Sequence, residues 1–95
     1  EKIPFISGAQ NYARAWIFPG GSLDNKSFFG AHIDFAAEID EPSQMLLFDA
    51  QTSGGLLLSV PADKLEPLLS RANELGQELW EIAEVVEGDS IQVNP

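Results

Sequence analysis

The chain has 95 residues, of which 44% are apolar, and it combines a formal net charge of −10 with a complete absence of cysteine. Its length suits one domain or a piece of one, and the acidic balance disfavours binding to nucleic-acid phosphates. The lack of cysteine excludes disulfides, thiolate nucleophiles and cysteine-ligated zinc, and it suits the cytoplasmic location that we expect.

The sequence begins at Glu1, and its single methionine is Met45. We therefore expect residues 1–95 to be a single domain, trimmed from a longer protein. Its longest apolar runs fall well short of the roughly 20 residues that a membrane span requires, so we expect no membrane partner.

The first apolar run, residues 3–6, predicts a short strand at a sheet edge, because Pro4 lacks a backbone donor. Ser7 then provides a cap for a helix that we expect to end near Phe18. The residues expected to share its buried face are Ala9, Tyr12, Ala13 and Trp16.

Residues 19–22, Pro-Gly-Gly-Ser, predict a sharp turn in which Ser22 caps a short helical turn running to Phe29. Backbone N–H groups at such a turn can hold an anion, although a plain turn is the commoner outcome. Residues 31–35 alternate in polarity and predict a strand. His32 has no second histidine or cysteine with which to share a metal, so we expect a structural or surface role.

Asp40-Glu41-Pro42 has the composition of a helix start, with acidic residues and a proline in the first turn. The side chains that this helix is expected to bury are Met45, Leu46 and Phe48.

The stretch from residue 47 to residue 61 is the main organising feature of the sequence. Small polar residues lead to Gly54 and Gly55, which permit backbone angles and close approaches that other residues do not. Residues 56–60 are apolar apart from Ser59, which predicts a strand covered on both faces in the middle of a sheet. We expect any chemistry to lie in the polar turn that precedes this strand.

A helix should follow, capped by Asp63, with Pro67 in its first turn and Gly76 just after its end. Its predicted apolar stripe consists of Leu65, Leu68, Leu69, Ala72 and Leu75.

The chain is expected to close with a hairpin. Residues 80–86 are rich in β-branched and aromatic residues, Gly88 lies in a turn, and residues 91–93 form a last strand. Helices alternate with strands throughout, so the predicted class is α+β, a mixed sheet with helices packed on it.

Common catalytic spacings are missing from the sequence, including a Walker loop, GxGxxG, a nucleophile elbow and HExxH. A triad of Ser53, His32 and Asp49 has no support from spacing. The informative residues are the two glycine-bearing polar turns, residues 19–25 and 49–55.

These two turns carry a family resemblance. Residues 49–57, Asp-Ala-Gln-Thr-Ser-Gly-Gly-Leu-Leu, resemble the Asp-Pro-Gln-Thr-Ser-Gly-Gly-Leu-Leu signature of the selenide, water dikinases, or selenophosphate synthetases. Residues 19–25 are similar to that family's Pro-Gly-Gly-Thr-x-x-Asn, with Ser22 in place of threonine. Ala50 stands where the family has proline, and this departure loosens the turn.

The resemblance implies the C-terminal domain of a two-domain, usually homodimeric enzyme, with a fold like that of the C-terminal domain of aminoimidazole ribonucleotide synthetase. The family uses ATP and Mg²⁺ to make selenophosphate from selenide and water, releasing AMP and phosphate. Its reactive cysteine or selenocysteine, its lysine and most of its metal-binding aspartates belong to the N-terminal domain. We therefore expect this chain alone to be inactive, with no catalytic residue, metal site or bound cofactor of its own.

The resemblance assigns only a supporting place near the ATP site and the domain interface. The residues concerned are Gly20, Gly21, Ser22, Asn25, Asp49, Gln51, Thr52, Ser53, Gly54 and Gly55.

Two other interpretations stay open. The chain could come from another ATP-dependent small-molecule synthetase or kinase of the same superfamily, which also includes thiamine-monophosphate kinase and a hydrogenase maturation protein. It could also be a freestanding, non-catalytic dimerisation module. A cysteine or selenocysteine near a lysine in the upstream reading frame would favour selenium chemistry.

Overall fold

A computed structural model of the chain describes residues 2–51 and 54–95. The helices in this part of the chain are α1 (Ala9–Arg14), α2 (Gly20–Phe29), α3 (Glu41–Leu47) and α4 (Ala62–Glu74). The strands are β1 (Ile33–Phe35) and β2 (Ile91–Val93), and a 3₁₀ turn, Gly30–His32, joins α2 to β1. None of these helices has both the length and the apolar character needed to cross a membrane.

The two strands pair in parallel, with Ile33 opposite Ile91 and Phe35 opposite Val93. The Ala36 N–H extends the pairing by donating to the Val93 carbonyl at 2.9 Å. The α+β class and the strand at residues 91–93 are thus confirmed. The predicted hairpin is wrong, because β2 pairs with β1 across the chain and not with residues 80–86.

The densest packing lies in the first half of the chain, where α1 packs on α3 and α2 contacts both α3 and the 3₁₀ turn. Ala13, Met45 and Phe48 are buried there, and the Phe35 and Phe48 rings meet edge to face at 5.9 Å. The predicted burial of Met45 and Phe48 is confirmed, while Leu46 is half-buried.

The predicted start of α3 is also confirmed. The Asp40 carboxylate accepts the Ser43 N–H at 2.9 Å, and Pro42 lies in the first turn, where its missing donor costs little.

The predictions for the N-terminal segment need correction. Residues 3–6 form no strand, and α1 ends at Arg14, four residues before Phe18. Tyr12 and Trp16 are exposed, so only Ala13 of the predicted face is buried. The helix ends early because Trp16 adopts a positive φ of 58°, which lets the Ile17 N–H turn back to the Tyr12 carbonyl.

The turn predicted at residues 19–22 is in fact the start of α2. Gly20 and Gly21 are its first two residues, and Ser22 lies fully buried inside the helix instead of capping it. The extended backbone of Pro19 ends the preceding segment, and its carbonyl accepts the Ser22 N–H at 3.0 Å.

Helix α4 begins earlier than predicted. Its first residue is Ala62, so Asp63 lies in the first turn and is not the cap, and Pro67 lies inside the helix. The predicted end is confirmed, because Gly76 has a φ of +65° and the Gln77 N–H donates to the Ala72 carbonyl at 2.8 Å. Ala72 is the buried member of the predicted stripe, whereas Leu75 is exposed.

The most consequential correction concerns residues 56–60, which have no regular secondary structure and are not part of a sheet. Leu56 and Leu57 are 90% and 82% exposed, where a strand covered on both faces was predicted. Residues 80–86, also predicted as a strand, likewise have no regular secondary structure, and Trp80 and Val85 are exposed. A strand needs a neighbour, and within the described ranges no backbone hydrogen bond joins either segment to another.

Candidate functional site

Two polar stretches that lie far apart in the sequence meet in space. The fully buried Ser22 Oγ donates to Asp49 Oδ1 at 3.4 Å, and Asn25 Nδ2 donates to the Phe48 carbonyl at 3.0 Å. The start of α2, residues 20–25, therefore packs against the chain that leaves α3, residues 48–51. We call these two stretches together the corner.

Gly21 permits the closest approach in the corner. A Cβ atom added to Gly21 would lie 2.8 Å from the Ala50 Cβ, closer than such atoms come in proteins. Ala50 has only one side-chain carbon, attached directly to its backbone, so relieving the contact would require backbone movement. A Cβ on the neighbouring Gly20 would meet nothing within 4 Å, which makes Gly21 the glycine that the packing requires.

The polar side chains of the turn after α3 also interact with one another. Gln51 Nε2 donates to Asp49 Oδ2 at 3.3 Å, so the Asp49 carboxylate receives a donor on each oxygen. A Cβ added to Gly54 would lie 3.4 Å from Gln51 Oε1. Gly54 thus borders this turn, while Gly55 has open space around it.

The structure brings together most of the residues singled out from the sequence. Those that meet in the corner or border it are Gly21, Ser22, Asn25, Asp49, Gln51 and Gly54. Gly20 and Gly55 make no close approach, and Thr52 and Ser53 lie outside the described residues.

Two participants were not predicted as site residues. Phe48 was expected only in the core, yet its carbonyl accepts from Asn25. Ala50 was noted only for replacing a proline, yet its methyl group lies against Gly21. Sequence signals existed for both, since they flank Asp49, but nothing in the sequence indicated which atoms meet.

A cavity of about 390 Å³ opens beside the corner. Its polar lining comes from Asn25, His32 and Asp49. Its apolar lining comes from Phe29, Ile33, Leu47, Phe48 and Ile91.

The carboxylate that takes part in the hydrogen bonds of the corner is that of Asp49, and the donors to it from Ser22 and Gln51 are uncharged. Among the described residues, no lysine or arginine takes part in the hydrogen bonds of the corner. Lys26, next to Asn25, pairs with Glu41 at 2.8 Å. Across residues 2–51 and 54–95, no three histidine, aspartate or glutamate side chains are grouped to hold a metal ion. These residues offer hydrogen-bonding groups and shape, and they do not by themselves fit a magnesium nucleotide.

Comparison with known proteins shows what this chain is similar to. The family described as AIR synthase related protein, C-terminal domain, matches residues 23–94. A selenide, water dikinase of Carboxydothermus hydrogenoformans is 43% identical over 79% of this chain and 22% of its own length. A selenide, water dikinase of Pseudomonas aeruginosa is 38% identical over 96% of this chain and 26% of its own length. The chain thus spans about a quarter of the curated relatives that it matches, and no solved structure matches it significantly.

Proposed function

The chain belongs to the AIR synthase related family as a C-terminal domain, and from this premise we propose that it is the C-terminal region of a selenide, water dikinase. The parent enzyme would convert selenide, water and ATP into selenophosphate, AMP and phosphate, using Mg²⁺ and working as a homodimer. Residues 1–95 would form a truncated domain that joins an N-terminal catalytic domain. The cytoplasmic location also stays a prediction.

One observation carries the proposal. The two stretches that resemble the family's signatures pack against each other through Ser22, Asn25 and Asp49. Because the two motifs contact each other in the folded chain, there is a physical reason for both to occur in it.

The corner's proposed role is to support the ATP site and the domain interface. Phosphoryl transfer depends mainly on positioning and on neutralising phosphate charge with metal ions and cationic side chains. A chain with a net charge of −10 is poorly suited to supply that neutralisation. The missing domain would provide the metal ligands and the cation, while the corner contributes donors, a carboxylate and shape.

Assays of AMP formation test the proposal. The 95-residue chain alone should release no AMP from ATP and selenide, whereas the full product of its gene should do so. ATP turnover that is independent of selenide would indicate another synthetase or kinase of the superfamily. A gene product with no ATP turnover would support the non-catalytic dimerisation module.

A substitution in the full gene product tests the corner itself. Asp49→Asn weakens the charge-assisted hydrogen bonds from Ser22 and Gln51. We expect kcat/KM for ATP to fall about tenfold, equivalent to about 1.4 kcal/mol. Glu66→Gln, an exposed change in α4 outside the corner, is the control and should leave kcat/KM within about twofold. Equal effects of the two substitutions would contradict a role for the corner.

A further inference from the structure

Asp49 differs from every other acidic residue of the described chain, because it is half-buried and the others are exposed. Its carboxylate accepts from Ser22 at 3.4 Å and from Gln51 at 3.3 Å, and both donors are uncharged. Strong hydrogen bonds are shorter, with donor and acceptor atoms within about 3.2 Å. A charge that is partly withdrawn from water loses hydration unless a partner replaces it, and the partners of Asp49 are weak ones.

The chain's own cations do not supply that partner. It has five lysines and arginines. Four of them form ion pairs elsewhere, which are Lys2–Glu81, Lys26–Glu41, Lys64–Asp63 and Arg71–Glu74. The charge of the fifth, Arg14, acts on Asp40. His32 lines the cavity beside the corner, but among the described residues it forms no ion pair with Asp49. A cation for Asp49 therefore has to come from another part of the protein or from another molecule.

The polar groups left free at the cavity are mainly acceptors. Asp49 and Asn25 both line it. An ionised carboxylate accepts hydrogen bonds on both oxygens and donates none. Asn25 directs its Nδ2 group to the Phe48 carbonyl, and no donor in the described part of the chain reaches its Oδ1 atom. A lysine ammonium group has three donors, which match the two oxygens of Asp49 and the Oδ1 atom of Asn25.

The remainder of the cavity wall suits the stem of the same side chain. It is apolar and includes the rings of Phe29 and Phe48. Lysine lays its four-carbon stem along apolar surface while its charged head reaches a polar partner, and aromatic rings attract cations. An anion or a phosphate group would instead be repelled by Asp49 and by the net charge of −10.

We propose that the cavity beside the corner binds a lysine side chain of the parent polypeptide outside these 95 residues, with its ammonium group at Asp49 and Asn25. The inference rests on the proposed function, because it requires that the chain be part of a longer enzyme. The chain spans 22% to 26% of the relatives' length, so most of such an enzyme lies outside it. A second copy of the chain is a poorer source, because its lysines already have acidic neighbours.

Zero-length crosslinking of the full gene product tests the pairing directly. A carbodiimide joins a carboxylate only to an amine that touches it, so mass spectrometry should find Asp49 linked to a lysine outside the 95 residues. Asp24, an exposed carboxylate on α2, is the control and should link to that lysine with at least ~10-fold lower yield, because exposed ion pairs are weakly held. The proposal would be overturned by equal yields, by the absence of an Asp49 crosslink, or by a crosslink to a lysine within the 95 residues.

A double-mutant cycle then tests whether the two groups act as a pair. In the full gene product, replacing the crosslinked lysine with glutamine should lower Tm by about 2 °C, and so should Asp49→Asn. The double variant should lie within about 1 °C of either single variant, because the interaction is lost only once. Glu66→Gln is the matched control and should leave the effect of the lysine substitution unchanged. Fully additive losses for Asp49→Asn and the lysine substitution would overturn the proposal.

Neither readout depends on turnover, so the two proposals can fail separately. Loss of selenide-dependent AMP formation with the Asp49 crosslink intact would contradict the proposed function alone. Selenide-dependent AMP formation without that crosslink would overturn the lysine site alone.

Discussion

Met45 and Leu57 show how differently the two halves of this chain use similar side chains. Both are apolar, yet Met45 is 0% exposed and Leu57 is 82% exposed. Residues 2–51, together with β2, form a packed half in which α1 and α2 each contact α3. Residues 54–90 form an open half in which α4 makes no comparably extensive contact among the described elements. Apolar character therefore sets the tendency to be buried, while burial itself requires a partner.

The halves also differ in the range of their hydrogen bonds. In the packed half, Ser22 and Asn25 each donate to groups more than 20 positions away, and Ser90, at the end of the open half, donates to Asp34 of the packed half. In the open half, the hydrogen bonds of α4 and its end are local, such as that from the Gln77 N–H to the Ala72 carbonyl. A helix forms from local bonds, but packing it requires contacts from elsewhere in the chain.

Truncating one apolar side chain in each half should produce the largest difference in the free energy of unfolding. We expect Met45→Ala to lower the free energy of unfolding by about 2–4 kcal/mol, because it leaves a cavity in the core. Leu57→Ala should change it by less than about 0.5 kcal/mol, because the side chain is already in water. Urea unfolding of the 95-residue chain measures both. Similar losses for the two variants would mean that the open half is packed in solution.

The next largest difference in stability is expected between substitutions at two adjacent glycines of the packed half. Gly21→Ala should destabilise the chain by about 1–2 kcal/mol, because its new Cβ would collide with Ala50. Gly20→Ala should stabilise it by about 0.5 kcal/mol, because it meets open space and alanine favours helix. Thermal unfolding distinguishes the two.

A compensating change isolates the cause of the Gly21 effect. Ala50→Gly removes the methyl group that Gly21 faces, so the double variant should regain most of the stability that Gly21→Ala loses. If Ala50→Gly fails to restore it, the close contact is not the reason for the glycine.

The difference between local contacts and contacts with distant chain also explains which elements could be predicted from the sequence. The Asp40 cap and the glycine end at Gly76 are specified mainly by residues within a few positions. The strands expected at residues 56–60 and 80–86 depend on neighbours supplied by distant chain. The sequence interpretation rested heavily on the first of them, and the family assignment now stands on the match over residues 23–94 instead.

The candidate site was predictable in location and not in geometry. The resemblance of two motifs pointed to residues 20–25 and 49–55. It could not show that Ser22 would be buried inside a helix, or that the Phe48 carbonyl would accept a hydrogen bond from Asn25. Such contacts depend on how α2 and α3 pack, which neither motif encodes alone.

Two asparagines, one in each half, extend the comparison to hydrogen bonding. Asn25→Ala removes the bond to the Phe48 carbonyl and should cost about 1 kcal/mol in the free energy of unfolding. Asn73→Ala, at an exposed position in α4, should change it by less than about 0.5 kcal/mol. Urea unfolding monitored by circular dichroism provides the measurement. A larger cost at Asn73 would reverse the assignment of the two halves.

The smallest expected effect is a pH dependence of hydrogen-exchange protection at the start of α3. The side-chain hydrogen bond with Ser43, followed by the Ser43 backbone N–H and the nearby charge of Arg14, lowers the pKa of Asp40 below its ordinary 3.8. Because the folded pKa is the lower one, the stabilisation is fully present above pH 3.8 and is lost as the pH falls through the folded value. Hydrogen exchange of the Ser43 amide should therefore show reduced protection on acidification from about pH 6 to about pH 2.5, after correction for intrinsic exchange rates. Asp40→Asn keeps a capping oxygen that does not titrate, so this variant should lose the pH dependence specific to the Ser43 amide. An unchanged dependence in Asp40→Asn would show that another carboxylate controls the start of α3.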